Sequence, residues 1–245
     1  MKNYTIWSPE YSNFSGGIRA LHVLNNELRK RNINSFLHYQ NQHQDENIVL
    51  YPEIITDNPL NSNYVSRWLL ADGENKDLCF EWVKGLGGSH SLTVNIINLD
   101  IFYPRNEPKK NVGYWIGKGS QNMDVPSNAE LIRKFEPSSR ESLAEQLASY
   151  EYIISFDSFT AINHEATILG TPVLIANQTA DWSKSKLIET GWPVYGICWD
   201  YEDLEKAKNE VRLQYDAYVE LCRVFDKSVD DFIEITQRLY SSTSI

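Results

Sequence analysis

Short apolar runs alternate with an amphipathic stretch at the start of the chain. Residues 4–7 form a β-rich apolar run, and the polar loop after it ends in two glycines at 16–17. Apolar residues then recur at helical spacing over 18–28. Two further apolar runs cover 35–39 and 48–51. A strand, a glycine turn, a helix and more strands in this order predict a βαβ unit in a parallel sheet.

The remainder of the first half is less regular. Asn-Pro opens a stretch at 58–73 whose apolar positions predict a second helix, and short apolar runs at 78–80 and 92–94 predict strands. A glycine-rich segment at 85–88 between them predicts a flexible loop. Residues 104–110 contain two prolines and no periodic apolar positions, which predicts a linker between domains.

The second half repeats the alternation of strands and helices. Its apolar runs are short, and glycines or capping residues separate them. The predicted strands are 112–116, 131–135, 152–156 and 172–175, and the predicted helices begin at 138 and 159.

Two successive β/α halves predict an α/β protein with two facing Rossmann-like domains. We expect an N-terminal domain at 1–106, a C-terminal domain at 110–200 and terminal helices at 201–245. The tail has apolar residues at steps of three and four from 204 onward, with a break expected near 227–228. Docking of this amphipathic segment on both domains is favoured over a coiled coil or a cofactor site.

Composition narrows the class of partner. The 245 residues include 33 acidic and 23 basic side chains, which gives a formal net charge of −10. Because a polyanion is held by a basic face, this charge argues against nucleic acid and anionic membrane as main partners. A local basic pocket for one small anion stays open.

Cysteine and metal patterns exclude several chemistries. The three cysteines are far apart and form no CxxC pair, which is typical of reduced thiols in the cytoplasm. No segment has the length of a signal peptide core or a membrane span. No zinc-binding spacing, Walker loop, Gly-x-Ser-x-Gly or Asp-x-Asp occurs, so we expect neither a metal nor a cofactor.

The most informative segment joins the strand at 152–156 to the next helix. Asp157 ends the strand, and Glu165 follows two turns into the helix, so both acids could approach one ligand. The first turn of that helix presents backbone N–H groups suited to phosphate, beyond the carboxyl end of a strand. The spacing alone has a simpler interpretation, in which Asp157 caps the helix and Glu165 is a solvated helix residue.

This segment resembles the donor-binding motif of GT-B retaining glycosyltransferases of the family 4 type. That motif is an acid, seven intervening residues, Glu-Ala and then Gly-x-Pro-Val. Here it is Asp157, Glu165-Ala166 and the stretch at 170–173, with Asp in place of the family's first Glu. The glycines at 16–17, the segment 67–73, Gly-Lys-Gly at 117–119 and the terminal helix resemble further features of the family, in the same order.

The resemblance implies roles for individual residues. Glu165 matches the Glu that binds the donor ribose, and Asp157 matches the acid near the transferred sugar. The amides of Phe159, Thr160 and Ala161 would hold the diphosphate. The resemblance also implies that Gly16, Gly17 and Lys118 belong to the site.

Gly16 and Gly17 would let the backbone approach the donor. Lys118 is a candidate cation for the leaving diphosphate, with a solvated loop lysine as the equal alternative. His90, in the loop after the glycines at 87–88, is a weaker candidate for the acceptor side. Arg133 and Arg140 are expected at the surface.

We therefore expect a cytoplasmic, metal-independent enzyme that moves a sugar from a nucleoside-diphosphate sugar to a carbohydrate or other small acceptor. Retention of configuration is implied by the family. A non-catalytic sugar-nucleotide binding module and a glycosyltransferase-like scaffold subunit are the alternatives. The sequence leaves the donor base, the sugar, the acceptor and the oligomeric state open.

Overall fold

The computed structural model describes residues 1–40, 44–71, 77–121, 123–177 and 182–241. The chain divides into two compact units, and each contains one parallel sheet. Unit 1 comprises Met1–Ile96 and Cys222–Ile245, and unit 2 comprises Ile97–Leu221. The sequence-based domain limits of 1–106, 110–200 and 201–245, the facing of the domains and the crossing of the terminal segment remain predictions.

Unit 1 is built on a six-stranded parallel sheet in the order β2-β1-β3-β4-β5-β6. Its core holds the apolar side chains of the central strands, including Tyr4, Ile6 and Trp68. The strands are β1 (Tyr4–Ile6), β2 (Ser35–Leu37), β3 (Ile48–Pro52), β4 (Tyr64–Leu69), β5 (Leu78–Glu81) and β6 (His90–Ser91).

Helix α1 (Gly16–Lys30) joins β1 to β2 and confirms the predicted βαβ start. Ser15 caps it by accepting a hydrogen bond from the Ile18 amide (3.3 Å). Asn32, the expected stop, has a φ of 59°, which ends the helical path.

The predicted helix at 58–73 is wrong. The chain forms β4 there, because Tyr64 and Val65 begin an extended run that pairs on both sides with β3 and β5. Arg67 stays buried in this strand by an ion pair with Asp77 and by donating to backbone carbonyls of the preceding loop. The expected helix end at 72–73 lies outside the described residues.

The glycine-rich segment at 85–88, expected as a flexible loop, makes hydrogen bonds and close contacts with the end of β5. The buried Glu81 carboxylate accepts from the amides of Gly85 (3.0 Å) and Leu86 (2.9 Å). A Cβ on Gly88 would meet the Glu81 backbone at 2.6 Å, so only glycine permits this close approach. The expected strand at 92–94 is replaced by β6, two residues earlier.

The C-terminal helix α6 (Gln214–Ser241) is continuous through 227–228, where a break was expected. It follows α5 (Leu204–Glu210) and a 3₁₀ turn at Val211–Leu213. Within unit 1, Phe232 of α6 packs against Tyr4 and Phe80. Among the described residues, no helix is both long enough and apolar enough to cross a membrane.

Unit 2 carries a five-stranded parallel sheet in the order β11-β10-β9-β7-β8. Helices α2 (Arg140–Ala148), α3 (Ala161–Ile168) and α4 (Lys184–Glu189) accompany it, together with α5, whose Leu204 and Ala207 pack in its core. Its strands are β7 (Asn111–Trp115), β8 (Glu130–Leu131), β9 (Tyr150–Ser155), β10 (Val173–Ile175) and β11 (Ile197–Cys198). The strand expected at 131–135 is limited to β8, and the helix expected over 159–169 is α3.

Candidate functional site

The order of strands in unit 2 defines a crevice between β7 and β9. From β7 the chain moves to β8 on one side, whereas from β9 it moves to β10 on the other side. The loops 116–119 and 156–160 therefore diverge from neighbouring strands at the carboxyl edge of the sheet. Ligands of open α/β sheets bind at such a switch point.

Asp157 lies in this crevice, two residues after β9, and is 7% exposed. The Lys118 amide donates to its Oδ2 (3.0 Å), which joins the two loops. Burial raises the pKa of the Asp157 carboxyl above its ordinary value, and the Lys118 amide and charge, the Phe159 amide and the Trp115 indole oppose that shift. A buried acid at a switch point is a candidate for substrate chemistry.

Asp157 is not the cap of α3, which removes the simpler interpretation of this residue. The N-cap is Thr160, whose side chain makes no capping hydrogen bond. The backbone carbonyl of Asp157 accepts from Ser155 Oγ (2.9 Å) and from Asn163 Nδ2 (3.0 Å). These bonds fix the strand end and leave the carboxylate directed to the Lys118 turn.

No sequence pattern singled out Trp115, the last residue of β7, as a site residue. Its indole Nε1 is buried and makes no hydrogen bond of normal geometry. A Cβ on Gly117 would collide with both this nitrogen and the Asp157 carboxylate, and Gly117 has a φ of +56°. A Cβ on Gly119 would collide with the Phe156 carbonyl. Glycines at both positions therefore allow this turn to lie directly on the end of β9.

Lys118 contributes to the site through its backbone. Lys118 is exposed, and its backbone amide donates a hydrogen bond to the Asp157 carboxylate. Phe159, Thr160 and Ala161 lie at the N-terminus of α3, as the phosphate-binding prediction requires. The Phe159 ring stacks on Trp182 with ring centroids 3.6 Å apart.

Glu165 is completely buried in α3 and forms an ion pair with Arg140, the first residue of α2. The guanidinium of Arg140 also lies over the Phe102 ring at 4.6 Å. The alternative of a solvated Glu165 and the expectation of a surface Arg140 are both wrong. Arg133 is exposed as expected and pairs with Glu136 (3.6 Å).

His164, beside Glu165 in the sequence, is buried and points to other elements. Burial lowers its pKa to about 4, so its ring is neutral at pH 7. The ring packs against Trp192 (5.0 Å) and lies 3.5 Å from Gln214 Nε2. It lines a small cavity with Asn163 that has room for about one water molecule.

The other predicted residues lie in unit 1. Gly16 and Gly17 are the first residues of α1, beyond the carboxyl end of β1. A Cβ would make ordinary contacts there, with Ile96 at 3.8 Å and Leu70 at 3.5 Å, so space does not demand glycine. The role of these glycines in donor binding stays a prediction.

His90, expected in the loop after the glycines at 87–88, begins the edge strand β6. Its ring packs against Phe80 at 5.6 Å. With residues of α6, including Lys227 and Asp231, it lines an open groove of about 560 Å³. Its role in acceptor binding stays a prediction.

Over the parts of the chain that the structure describes, no group of three or more His, Cys, Asp and Glu side chains is placed to hold a metal ion. The Asp157 carboxylate, Lys118 and the first backbone amides of α3 lie at the switch point, and a buried ion pair joins α3 to α2.

Comparison with solved structures identifies the fold. The chain is similar to a DNA-modifying enzyme, β-glucosyltransferase, whose structure was determined in the presence and absence of the substrate uridine diphosphoglucose. The TM-score is 0.54 at 9% sequence identity, over 97% of this chain and 100% of that chain. No protein-family model matches the sequence, and no curated protein matches it. The likeness shows a fold of the GT-B type, with two Rossmann-like parallel sheets.

Proposed function

We propose that this protein is a glycosyltransferase that moves a sugar from a nucleoside-diphosphate sugar to a carbohydrate or other small acceptor. The observation that carries the proposal is the position of Asp157 beside the N-terminus of α3, at the switch point of a parallel sheet in a GT-B-type fold. An anionic diphosphate suits the helix N-terminus, and a carboxylate suits the hydroxyl-rich sugar.

In this proposal the donor lies over the carboxyl edge of unit 2. The amides of Phe159, Thr160 and Ala161 bind the diphosphate, and the Lys118 ammonium offsets the charge of the leaving group. Glu165 accepts hydrogen bonds from the ribose hydroxyls. A carboxylate offers about four lone-pair positions, so the ion pair with Arg140 leaves acceptor capacity. Because Glu165 is fully buried, ribose binding requires a movement that exposes its carboxylate.

A thermal-shift experiment tests the proposal directly. UDP-glucose, UDP and GDP at about a hundred times their Kd should each stabilise the folded protein by about 2.7 kcal/mol if they bind the native state alone. Donor hydrolysis is then followed for every nucleotide sugar that binds. Binding with slow turnover supports an enzyme, binding alone supports a sugar-nucleotide module, and neither supports a scaffold subunit.

The finer proposals rest on features of the sequence. The pattern from Asp157 to Glu165 is the ground for a family 4 relationship and for retention of configuration, which the anomeric configuration of the product would test by ¹H NMR. A cytoplasmic location rests on the reduced-thiol cysteine pattern. A small acceptor rests on the net charge of −10, and a DNA duplex belongs in the acceptor screen because the similar structure is that of a DNA-modifying enzyme.

Transfer should persist in excess EDTA. This prediction rests on the absence of Asp-x-Asp from the sequence and on the resemblance to metal-independent enzymes. The measurement is the initial rate with and without chelator, with a metal-dependent transferase as the control. Loss of transfer that manganese or magnesium restores would contradict the prediction.

A further inference from the structure

A group of five aromatic rings lies in unit 1, outside the site described above. Trp7 follows β1, Tyr11 lies in the next loop, His22 is in the second turn of α1, and His38 and Tyr39 are in the turn after β2. Trp7 stacks on His38 at 4.0 Å, and His22 lies 5.2 Å from Tyr11 and 6.2 Å from Tyr39. We refer to these five residues as the ring cluster.

The ring cluster is accessible and lies where ligands bind in this class of sheet. Tyr11 is 56% exposed and Tyr39 is 38% exposed, and the other three rings are half-buried. The chain leaves β1 toward β2 on one side, whereas β3 and β4 lie on the other side, so β1 and β3 flank the switch point of unit 1. Trp7 follows β1 and packs against Tyr51 of β3 with ring centroids 5.6 Å apart, so one end of the ring cluster lies at this switch point.

Polar atoms of the ring cluster have defined hydrogen-bonding roles. The Ser8 amide donates to His38 Nδ1 (3.0 Å), so the neutral ring carries its proton on Nε2. Burial lowers the pKa of His38, which favours that neutral form. Nε2 of His22 lies 3.0 Å from the Pro9 carbonyl, which can only accept, so its Nδ1 is an acceptor in the neutral ring.

Charge near the ring cluster is low and negative. The segments 7–17 and 35–40 contain one charged residue, Glu10. Arg19, the next cation along α1, is buried and donates to the Ile96 carbonyl (3.2 Å). Flat ring faces, a mixture of donors and acceptors and the lack of a cation within segments 7–17 and 35–40 suit a neutral polyhydroxylated ligand and disfavour a phosphorylated one.

We propose that the ring cluster binds a neutral saccharide, with a sugar ring stacked on Tyr11 and Tyr39 and its hydroxyls bonded to the histidine nitrogens and tyrosine hydroxyls. In the proposed function this saccharide is the acceptor. The binding itself requires no donor, so it is measurable without nucleotide.

Saturation-transfer difference NMR tests the proposal with three probes: maltotriose, cellotriose and tri-N-acetylchitotriose. At least one should bind the full chain, with the strongest signals from ring C–H protons. The double variant Tyr11→Ala/Tyr39→Ala should bind that probe at least about tenfold more weakly, because two aromatic contacts are lost. The matched control is Tyr195→Ala in unit 2, a tyrosine of similar exposure at 42%, which should bind as wild type does.

Three results would overturn the inference: no signal from any probe, unchanged affinity in the double variant, or binding of a DNA duplex with none of the saccharides. If the double variant fails to fold by its melting curve, Tyr11→Ser serves instead, because Tyr11 is the most exposed ring. Failure here with intact nucleotide binding would leave the proposed function in place. Saccharide binding with no nucleotide binding would reject the proposed function alone.

Discussion

Replacing Glu165 with alanine should lower the free energy of unfolding by about 3–5 kcal/mol, the range for removing one member of a buried ion pair. Glu165 is fully buried, and the side chain of its partner Arg140 is 14% exposed. The alanine variant leaves this mostly buried guanidinium beside the Phe102 ring without its carboxylate partner. Urea denaturation followed by tryptophan fluorescence measures the change.

Two control variants separate the ion pair from the ribose role. Glu165→Leu combined with Arg140→Leu removes both charges, and its loss of stability should be smaller than the sum of the two single losses. Donor affinity, measured on folded variants, should fall for Glu165→Ala by about 1.5–3 kcal/mol if the carboxylate also binds ribose. Wild-type stability in the alanine variant would contradict the ion-pair argument, and wild-type donor affinity would contradict the ribose role.

Local periodicity predicted those elements whose apolar pattern fits only one type of secondary structure. The run at 152–156 is apolar except for Ser155, which suits a strand buried on both faces, and it falls in and just after β9. The helix prediction for 58–73 failed because the apolar spacing there fits a helix, whereas the segment pairs with β3 and β5, whose partner residues lie 16 and 12 residues away in sequence. The conformation of such a segment is set by tertiary strand pairing. The periodicity of a single sequence carries no information about that pairing.

The candidate site was only half visible in the sequence. Asp157 and the α3 amides follow from a strand-to-helix junction, which leaves a local signal. Trp115 and Arg140 reach the same region from β7 and α2, and no spacing in the sequence joins them to Asp157 or Glu165. The glycines at 117 and 119 were a usable signal, because glycines in a turn often mark the close approach of another backbone.

The substitution of Asp157 by asparagine should separate chemistry from stability. Burial raises the pKa of this carboxyl, so its favourable contribution to stability is complete below its ordinary pKa and is lost as the pH rises through the folded-state value. At pH 7 the wild type therefore carries the cost of a buried charge, which asparagine removes while its Oδ1 still accepts from the Lys118 amide. We expect a melting temperature at pH 7 equal to or above that of the wild type, with the difference shrinking as the pH falls toward 4.

Turnover of the same variant should fall by about 10²–10⁴-fold if the carboxylate acts on the transferred sugar. UDP affinity should change little, because the diphosphate amides of α3 are untouched. Asp157→Ala is the structural control: it removes the acceptor of the Lys118 amide and should cost about 1–3 kcal/mol of stability in addition to turnover. Initial rates and melting curves for the three proteins, measured from pH 4 to pH 8, distinguish a catalytic role of Asp157 from a structural one. An asparagine variant with wild-type turnover would show that Asp157 only holds the Lys118 turn in place, and would favour the sugar-nucleotide binding module over the enzyme.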